Sequence, residues 1–249
     1  LVDLETTHNK ISKPKLDNAI VIMAGGYGKR LLPLTKDTPK PLLKVGAMPI
    51  LESIIKRFIN FGFHNFFIST YFKSEMIKDY FNEGSEWNVT IQYLEEEVPL
   101  GTGGALTLLP EDVSNLPLIL MNGDLVTEVD FSSLLDNHNK SGTDATICVV
   151  EYDFQVPYGV IEIKEEDLKV KTITEKPTHK FFINAGIYVL NQNVIKNLDK
   201  TTYIDMPELL GKRVNLGNGV NIFPMYERWL DIGEIKEFNQ ANNLLNDDS

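Results

Sequence analysis

Ile20-Val-Ile-Met-Ala-Gly-Gly-Tyr-Gly-Lys-Arg-Leu-Leu-Pro-Leu-Thr-Lys-Asp-Thr-Pro-Lys-Pro-Leu-Leu43 is the stretch from which the rest of the chain is read. Ala19 to Met23 is a short apolar run that reads as a buried strand, and it stops at Gly25, Gly26 and Gly28, followed at once by Lys29 and Arg30. Glycines let the backbone turn with positive φ and bring its N–H groups close to a ligand. Successive N–H groups in such a turn form a concave anion site, and adjacent cations strengthen it. Further on, Lys40 sits between Pro39 and Pro41, which stiffen the chain on either side. The pattern describes a rigid phosphate cradle with three cations at hand, which points to a nucleotide site. Two familiar phosphate loops are excluded by letter. A P-loop needs Ser or Thr after Gly-Lys, where Arg30 stands, and G-x-G-x-x-G fails because position 31 is Leu.

Working outward, strands and helices alternate. Pro49 to Phe61 carries Ile50, Ile54, Phe58 and Phe61 at helical spacing and ends at Gly62. Asn65 to Tyr71 reads as a strand, Lys73 to Phe81 as a helix, and Val89 to Leu94 as the next strand. Alternation of this kind predicts parallel βαβ units and a doubly wound, mostly parallel, Rossmann-like α/β sheet. Ligands bind such sheets at the carboxyl ends of the strands, where the glycine loop falls. Leu100-Gly-Thr-Gly-Gly-Ala105 opens a helix through Leu109, and Pro117 to Asp124 is a buried strand ending in Gly-Asp. Phe131 to Asn139 reads as a helix and Thr143 to Tyr152 as a strand. The texture then changes. Tyr158 to Lys164, Lys169 to Glu175 and Phe182 to Leu190 alternate between turn signals and predict antiparallel hairpins over the open edge of the sheet, covering the second half of a site. A helix over Pro207 to Val214, a strand over Val220 to Met225 and a final helix from Glu234 to Leu245 complete the chain.

With 249 residues, 43% hydrophobic and 24% charged, the composition is that of a globular α/β domain with a sizeable core. No apolar run approaches the ~20 residues of a membrane span, and no signal-peptide pattern opens the sequence, so no membrane partner is expected. The net charge of −11 argues against a nucleic-acid partner, whose readers are basic. It also sets the cations at 29, 30 and 40 against the trend of the chain. The single cysteine, Cys148, lies in an apolar run, reads as a buried strand residue, and fits a reducing cytoplasm. His8, His64, His138 and His179 have no zinc-ligand spacing. Residues 1–17 read as a polar linker and residues 18–249 as one domain; because the first residue is Leu, an upstream domain is expected.

The pattern A-G-G-x-G-x-R-L-x-P-L-T-x-x-x-P-K-P-L resembles the signature of the sugar-1-phosphate nucleotidyltransferases, and six further segments match that family in order over residues 18–245. The resemblance implies Ala24, Gly25, Gly26, Gly28 and Lys29 around the nucleotide, with Arg30 on the leaving phosphates and Lys40 on charge that develops during transfer. Lys29 departs from the Thr of many members, which leaves that side chain's role open. Leu100–Ala105 resembles the guanylyltransferase form of the segment along base and ribose. It brings in Gly101 and Thr102, with Glu96 as acceptor for a guanine's N–H groups, and the strand that ends in Asn122 and Asp124 closes the nucleotide side. Asp124, alone a plausible turn former, and Asp231 in Trp-Leu-Asp-Ile-Gly, alone a plausible helix cap, match the family's two Mg²⁺ ligands. Tyr158-Gly159-Val160, Glu175-Lys176-Pro177 and Asn184-Ala-Gly-Ile-Tyr188, each unremarkable singly, match the sugar-1-phosphate pocket. There Tyr158, Gly159, Glu175 and Asn184 would meet the sugar and Lys176 its phosphate. The implied partners are an NTP, GTP preferred, and a sugar 1-phosphate, with glucosamine 1-phosphate preferred to a manno-heptose 1-phosphate. A regulatory domain upstream and a homo-oligomer are compatible with the family. The alternatives are a UTP- or dTTP-dependent relative and a non-catalytic regulatory subunit; the latter would be expected to lose one of Arg30, Lys40, Asp124, Lys176 or Asp231, all of which this chain keeps.

Overall fold

In a computed structural model the chain is described over residues 14–247 apart from 165, 167, 197, 200, 201 and 218, so that most of the expected linker (1–13) lies outside the described residues. The chain opens with β1 (Leu16–Met23), followed after the glycine loop by the short strands β2 (Lys44–Val45) and β3 (Met48–Pro49), helix α1 (Ile50–Asn60), β4 (Phe63–Thr70), α2 (Ser74–Phe81) and β5 (Thr90–Glu95). Next come α3 (Gly101–Gly104), β6 (Leu118–Asn122), β7 (Leu125–Thr127), α4 (Phe131–Ser141), β8 (Ala145–Gln155), β9 (Gly159–Ile163), β10 (Val170–Glu175) and β11 (Thr178–Leu190). The chain closes with α5 (Gln192–Ile195), α6 (Met206–Asn215), β12 (Val220–Met225), β13 (Trp229–Asp231) and α7 (Ile235–Asp247).

Seven strands form the central sheet in the order β12-β8-β11-β6-β1-β4-β5. All neighbours are parallel except β11, which runs antiparallel to both β6 and β8. Period-two alternation sorts the sheet's side chains into two cores. Ile20, Ile22, Ile119 and Met121 meet α1, α2 and α4 on one face, while Val21, Leu118 and Leu120 meet Val194 and the Met206, Leu209 and Leu210 stripe of α6 on the other. Each fully buried side chain of this kind contributes ~1.5–3 kcal/mol. Local signals fix the helix ends. Asp130 accepts from the Ser133 N–H at 2.9 Å to cap α4, which Gly142 terminates with φ +65°.

The doubly wound sheet is as expected, with one correction. Phe182 to Leu190 was expected in a hairpin over the sheet's edge. Its inner part, Ile187 to Leu190, instead pairs with β6 and lies inside the sheet, and the strand starts earlier, at Thr178. Alternation alone cannot distinguish an edge hairpin from an antiparallel strand inserted between parallel ones, because both have period two. The expected hairpin is β9 with β10, a separate two-stranded pair.

Candidate active site

The carboxyl ends of β1, β4, β5 and β6 surround a cavity of about 300 Å³. Gly25, Gly26, Glu96, Gly101, Thr102, Asn122 and Asp124, scattered over one hundred positions, all line it. The loop after β1 is anchored by Ala24 N–H donating to Ser69 O (2.9 Å) and Thr35 Oγ1 donating to Gly28 O (2.9 Å). Gly28 has φ +62°, and a Cβ there would lie 2.9 Å from Thr35 Cγ2. The cradle is therefore closed on itself by Thr35, and a side chain at 28 would force it open.

A cluster of opposite charges stands beside the cavity. Lys40, nine-tenths buried and held in a short 3₁₀ turn by its flanking prolines, donates to Asp124 Oδ2 at 2.5 Å. Asp124 Oδ1 is buried without a hydrogen-bond partner among the described residues. The Ile232 N–H donates to the Asp124 carbonyl (3.0 Å), and β13 pairs Asp231 with Leu125 of β7, so Asp231 is brought to Asp124 from more than one hundred residues away. Loss of hydration and then the neighbouring Asp124 carboxylate raise the Asp231 pKa, against the pull of Lys40 and Arg30. Arg30 is exposed in the turn after the cradle, close enough to the Trp-Leu-Asp-Ile-Gly segment that a Cβ on Gly233 would lie 3.4 Å from its Nη1. Lys29 is turned aside, with Nζ 5.0 Å from the centre of the Tyr27 ring.

The nucleotide-side loop turns out to be a packing device as well. Glu96 accepts from Ser69 Oγ (2.5 Å) and from the Leu100 N–H (2.8 Å), so each of its oxygens already has a partner inside the protein. Thr102 donates through N–H and Oγ1 to Asp205 and accepts from the Met206 N–H, while Gly103 and Gly104 donate to the Ile204 carbonyl. Gly101 has φ +77°, and a Cβ there would lie 2.6 Å from that carbonyl. The glycines of Leu100–Ala105 serve this close approach to residues 202–206.

The sugar-side residues stand elsewhere. Tyr158, Gly159, Glu175 and Lys176 are exposed at the junction between β8–β11 and β9–β10 and do not line the cavity. Lys176 adopts φ +46° there, its N–H donating to the Tyr158 carbonyl. Asn184 spends both ends of its amide internally, on Tyr188 Oη (2.6 Å) and the Gly186 N–H (3.0 Å), and so shapes a bulge in β11. Gly186 at that bulge meets Asn122, whose Oδ1 is buried without a partner among the described residues.

Sequence reading missed Met23, Tyr27, Tyr71, Pro99, Tyr203 and Asp205, which also line the cavity. Tyr71 could have been found from its place at the carboxyl end of β4. Asp205 precedes Met-Pro at a helix start, a cap signature. Nothing local joins it to Thr102.

The nucleotidyl transferase family model matches residues 19–248, and the chain belongs to that family. Among its relatives are the mannose-1-phosphate guanyltransferase of Saccharomyces cerevisiae, 34% identical, and the mannose-1-phosphate guanylyltransferase of Mycobacterium tuberculosis, 30% identical. Each match takes in 88% of this chain, which spans 62% of the relative's length. Among solved structures, HddC from Yersinia pseudotuberculosis is 27% identical with a TM-score of 0.69, covering 92% of this chain and 99% of that one. A structure of HddC complexed with GMP-PN superposes with a TM-score of 0.71 at 25% identity, over 92% of this chain and 99% of that one.

Proposed function

We propose that this chain transfers a nucleotidyl group from an NTP, GTP in preference, to a sugar 1-phosphate, releasing an NDP-sugar and pyrophosphate. An oxygen of the sugar phosphate attacks the α-phosphorus in line, and the bond to the bridging oxygen of pyrophosphate breaks. The observation that carries this reading is the meeting of Lys40, Arg30, Asp124 and Asp231 beside a cavity floored by the glycine loop. A phosphoryl-type transfer needs alignment and charge neutralisation rather than a covalent protein nucleophile. Cys148 agrees: it is fully buried, and that burial pushes its thiol pKa up.

Each side chain then has a task. Arg30 meets the leaving phosphates, Lys40 meets charge that builds during transfer, and Lys176 holds the incoming phosphate. Asp124 and Asp231 fit a Mg²⁺ ion: they are hard oxygen donors, and the unpartnered Asp124 Oδ1 is a free position for a ligand bond. Two carboxylates without a third His, Cys, Asp or Glu, as found among the described residues, suit an ion that shares phosphate oxygens. When bound, the ion supplies charge neutralisation on the phosphates.

GTP is supported by the names of the guanylyltransferase relatives and by the GMP-PN complex of HddC. Glu96 can still take part through its remaining lone pairs, so its role is to orient a base edge from a carboxylate fixed by Ser69 and Leu100. For the sugar, glucosamine 1-phosphate is the first choice, and the relatives' names make mannose 1-phosphate the second reading. The test is released pyrophosphate for each of four NTPs with glucosamine, mannose and manno-heptose 1-phosphates. Turnover confined to GTP is expected; no release with any pair would overturn the activity, and a preference for UTP or dTTP would overturn the base.

A further inference from the structure

Three tyrosines, Tyr27, Tyr71 and Tyr203, line the cavity, and the phosphate and metal chemistry of the site gives none of them a task. Tyr71 follows β4 and leads into α2, which packs on one face of the sheet, while Tyr203 leads into α6, which packs on the other. The two rings therefore come to the cavity from elements on opposite faces. Both stand near Glu96. A Cβ on Gly25 would lie 3.2 Å from Tyr71 Cβ and 3.3 Å from Glu96 Oε1, so Gly25 brings Tyr71 and Glu96 together. The Glu96 carboxylate also adds to the upward pKa shift of both phenols, after the larger effects of Asp205 on Tyr203 and of Tyr27 on Tyr71.

Neither ring serves the core. Tyr203 is 57% exposed, and Tyr71 is half-buried, with Tyr27 packed edge-on against it at 5.6 Å between ring centres. Tyr203 is nevertheless held. Its Oη donates to Asp205 Oδ2 (2.8 Å), and Asp205 Oδ1 accepts from the Thr102 N–H (3.0 Å). Next to it, the Ile204 N–H donates to the Leu100 carbonyl (2.9 Å), and the Ile204 carbonyl accepts from Gly103 and Gly104. Fixing a side chain costs rotamer entropy, which burial does not offset for an exposed ring. A ring fixed in advance on a cavity wall instead lowers what a ligand loses on binding. What a tyrosine offers there, and an aliphatic side chain does not, is a flat π-face, the surface on which nucleobases stack.

We infer that Tyr71 and Tyr203 hold the nucleobase, their rings packing on the base whose edge Glu96 meets. This rests on the reading of the chain as an NTP-dependent transferase. The two tyrosines and Glu96 divide the work. A ring holds any base, because every base has a π-face, and the carboxylate chooses among them by accepting from the N–H groups of guanine. Asp205 is a positioning residue. It joins Tyr203 to Thr102, so that the ring and the Leu100–Ala105 loop are set as one piece. The glycine cradle and Lys40 meet the phosphates without either ring, which makes the base and phosphate parts of binding separable by measurement.

Calorimetric titration of the 249-residue chain with GTP, and separately with inorganic tripolyphosphate, tests this. The wild type is expected to bind GTP more tightly than tripolyphosphate. Tyr71→Ala and Tyr203→Ala should each weaken GTP about 10-fold, the size of effect seen when a stacking aromatic is truncated, and leave tripolyphosphate unchanged. Tyr71→Phe and Tyr203→Phe keep the ring and should bind GTP within about 3-fold of the wild type, the cost of one modest hydrogen bond. Unchanged GTP affinity in both alanine variants overturns the proposal, as does an equal loss on tripolyphosphate or a phenylalanine variant as weak as its alanine counterpart. A wild type that binds the two probes equally overturns it while leaving the phosphate cradle standing; one that binds neither overturns the NTP reading along with it. Should Tyr71→Ala fail to fold, Tyr203→Ala carries the test, since its ring is exposed.

Discussion

The cavity and the ribbon formed by β8–β11 and β9–β10 carry the two sets of residues that the sequence groups into one reaction, and they are built in opposite ways. Around the cavity, segments distant in the chain are tied together by backbone and part-buried side-chain hydrogen bonds: Ala24 to Ser69, Gly123 to Met23, Ile232 to Asp124, Thr102 to Asp205. The ribbon's Tyr158, Glu175 and Lys176 stand in solvent on a two-stranded extension. The cavity is held in place by the core, whereas the β8–β11 and β9–β10 strand pairs leave Tyr152, Phe154, Phe181 and Ile173 exposed. Substitutions in the first region should therefore affect chemistry or folding, and those in the second should affect the affinity for one substrate.

The largest expected effect is chemical. Asp124→Ala and Asp231→Ala should each lower turnover by about 10³-fold or more, a size seen when preorganised transition-state charges are removed. Circular dichroism should remain native, and pyrophosphate release near the wild-type rate in either variant would break the assignment. Next, Gly101→Ala should cost roughly 2–3 kcal/mol of stability by urea unfolding, because an alanine at φ +77° would set its Cβ 2.6 Å from the Ile204 carbonyl. An unchanged midpoint would show that the loop is free to move away from residues 202–206. On the ribbon, Lys176→Ala should raise KM for the sugar phosphate about 10- to 100-fold while NTP affinity, measured by calorimetry, stays constant. Equal loss on both substrates would erase the distinction between the regions.

The smallest effect belongs to the scaffold. His138 is buried between Thr146 Oγ1 (2.9 Å) and Asn191 Oδ1 (3.1 Å), and burial lowers its pKa below the ordinary value, outweighing the opposite pull of Asn191. The unfolded chain then binds the proton more readily than the folded one. Stability is full above the unfolded pKa near 6.5 and falls as pH drops toward the folded value, by at most about 1.4 kcal/mol per pH unit. His138→Gln should flatten that slope in urea titrations between neutral and mildly acidic pH; an unaltered slope would assign it to other groups.

Much of this was legible in the sequence because it is local. Strand and helix periods, Asp130 and Gly142 at the ends of α4, and the glycines after β1 act over a few residues, and side-chain size and backbone freedom fix them wherever the chain runs. The family pattern drew together residues that no local rule connects, and seven of those it assigned to the nucleotide side line one cavity. What stayed hidden depends on distant partners. The sequence shows neither the Ser69 hydroxyl and Leu100 N–H that hold Glu96 nor the Tyr188 hydroxyl and Gly186 N–H that hold the Asn184 amide.

The sequence by itself determined the fold class, the cradle and the identity of the charged residues, since each follows from residue type at short spacing. Only the tertiary structure decided that β11 enters the sheet between β6 and β8, that Asp205 locks Thr102, and that Asp231 comes to Asp124 through the pairing of β13 with β7. Those outcomes rest on hydrogen-bond register and close backbone approach between segments more than a hundred residues apart, and no periodicity along the chain encodes which partner a strand edge or a carboxylate will find.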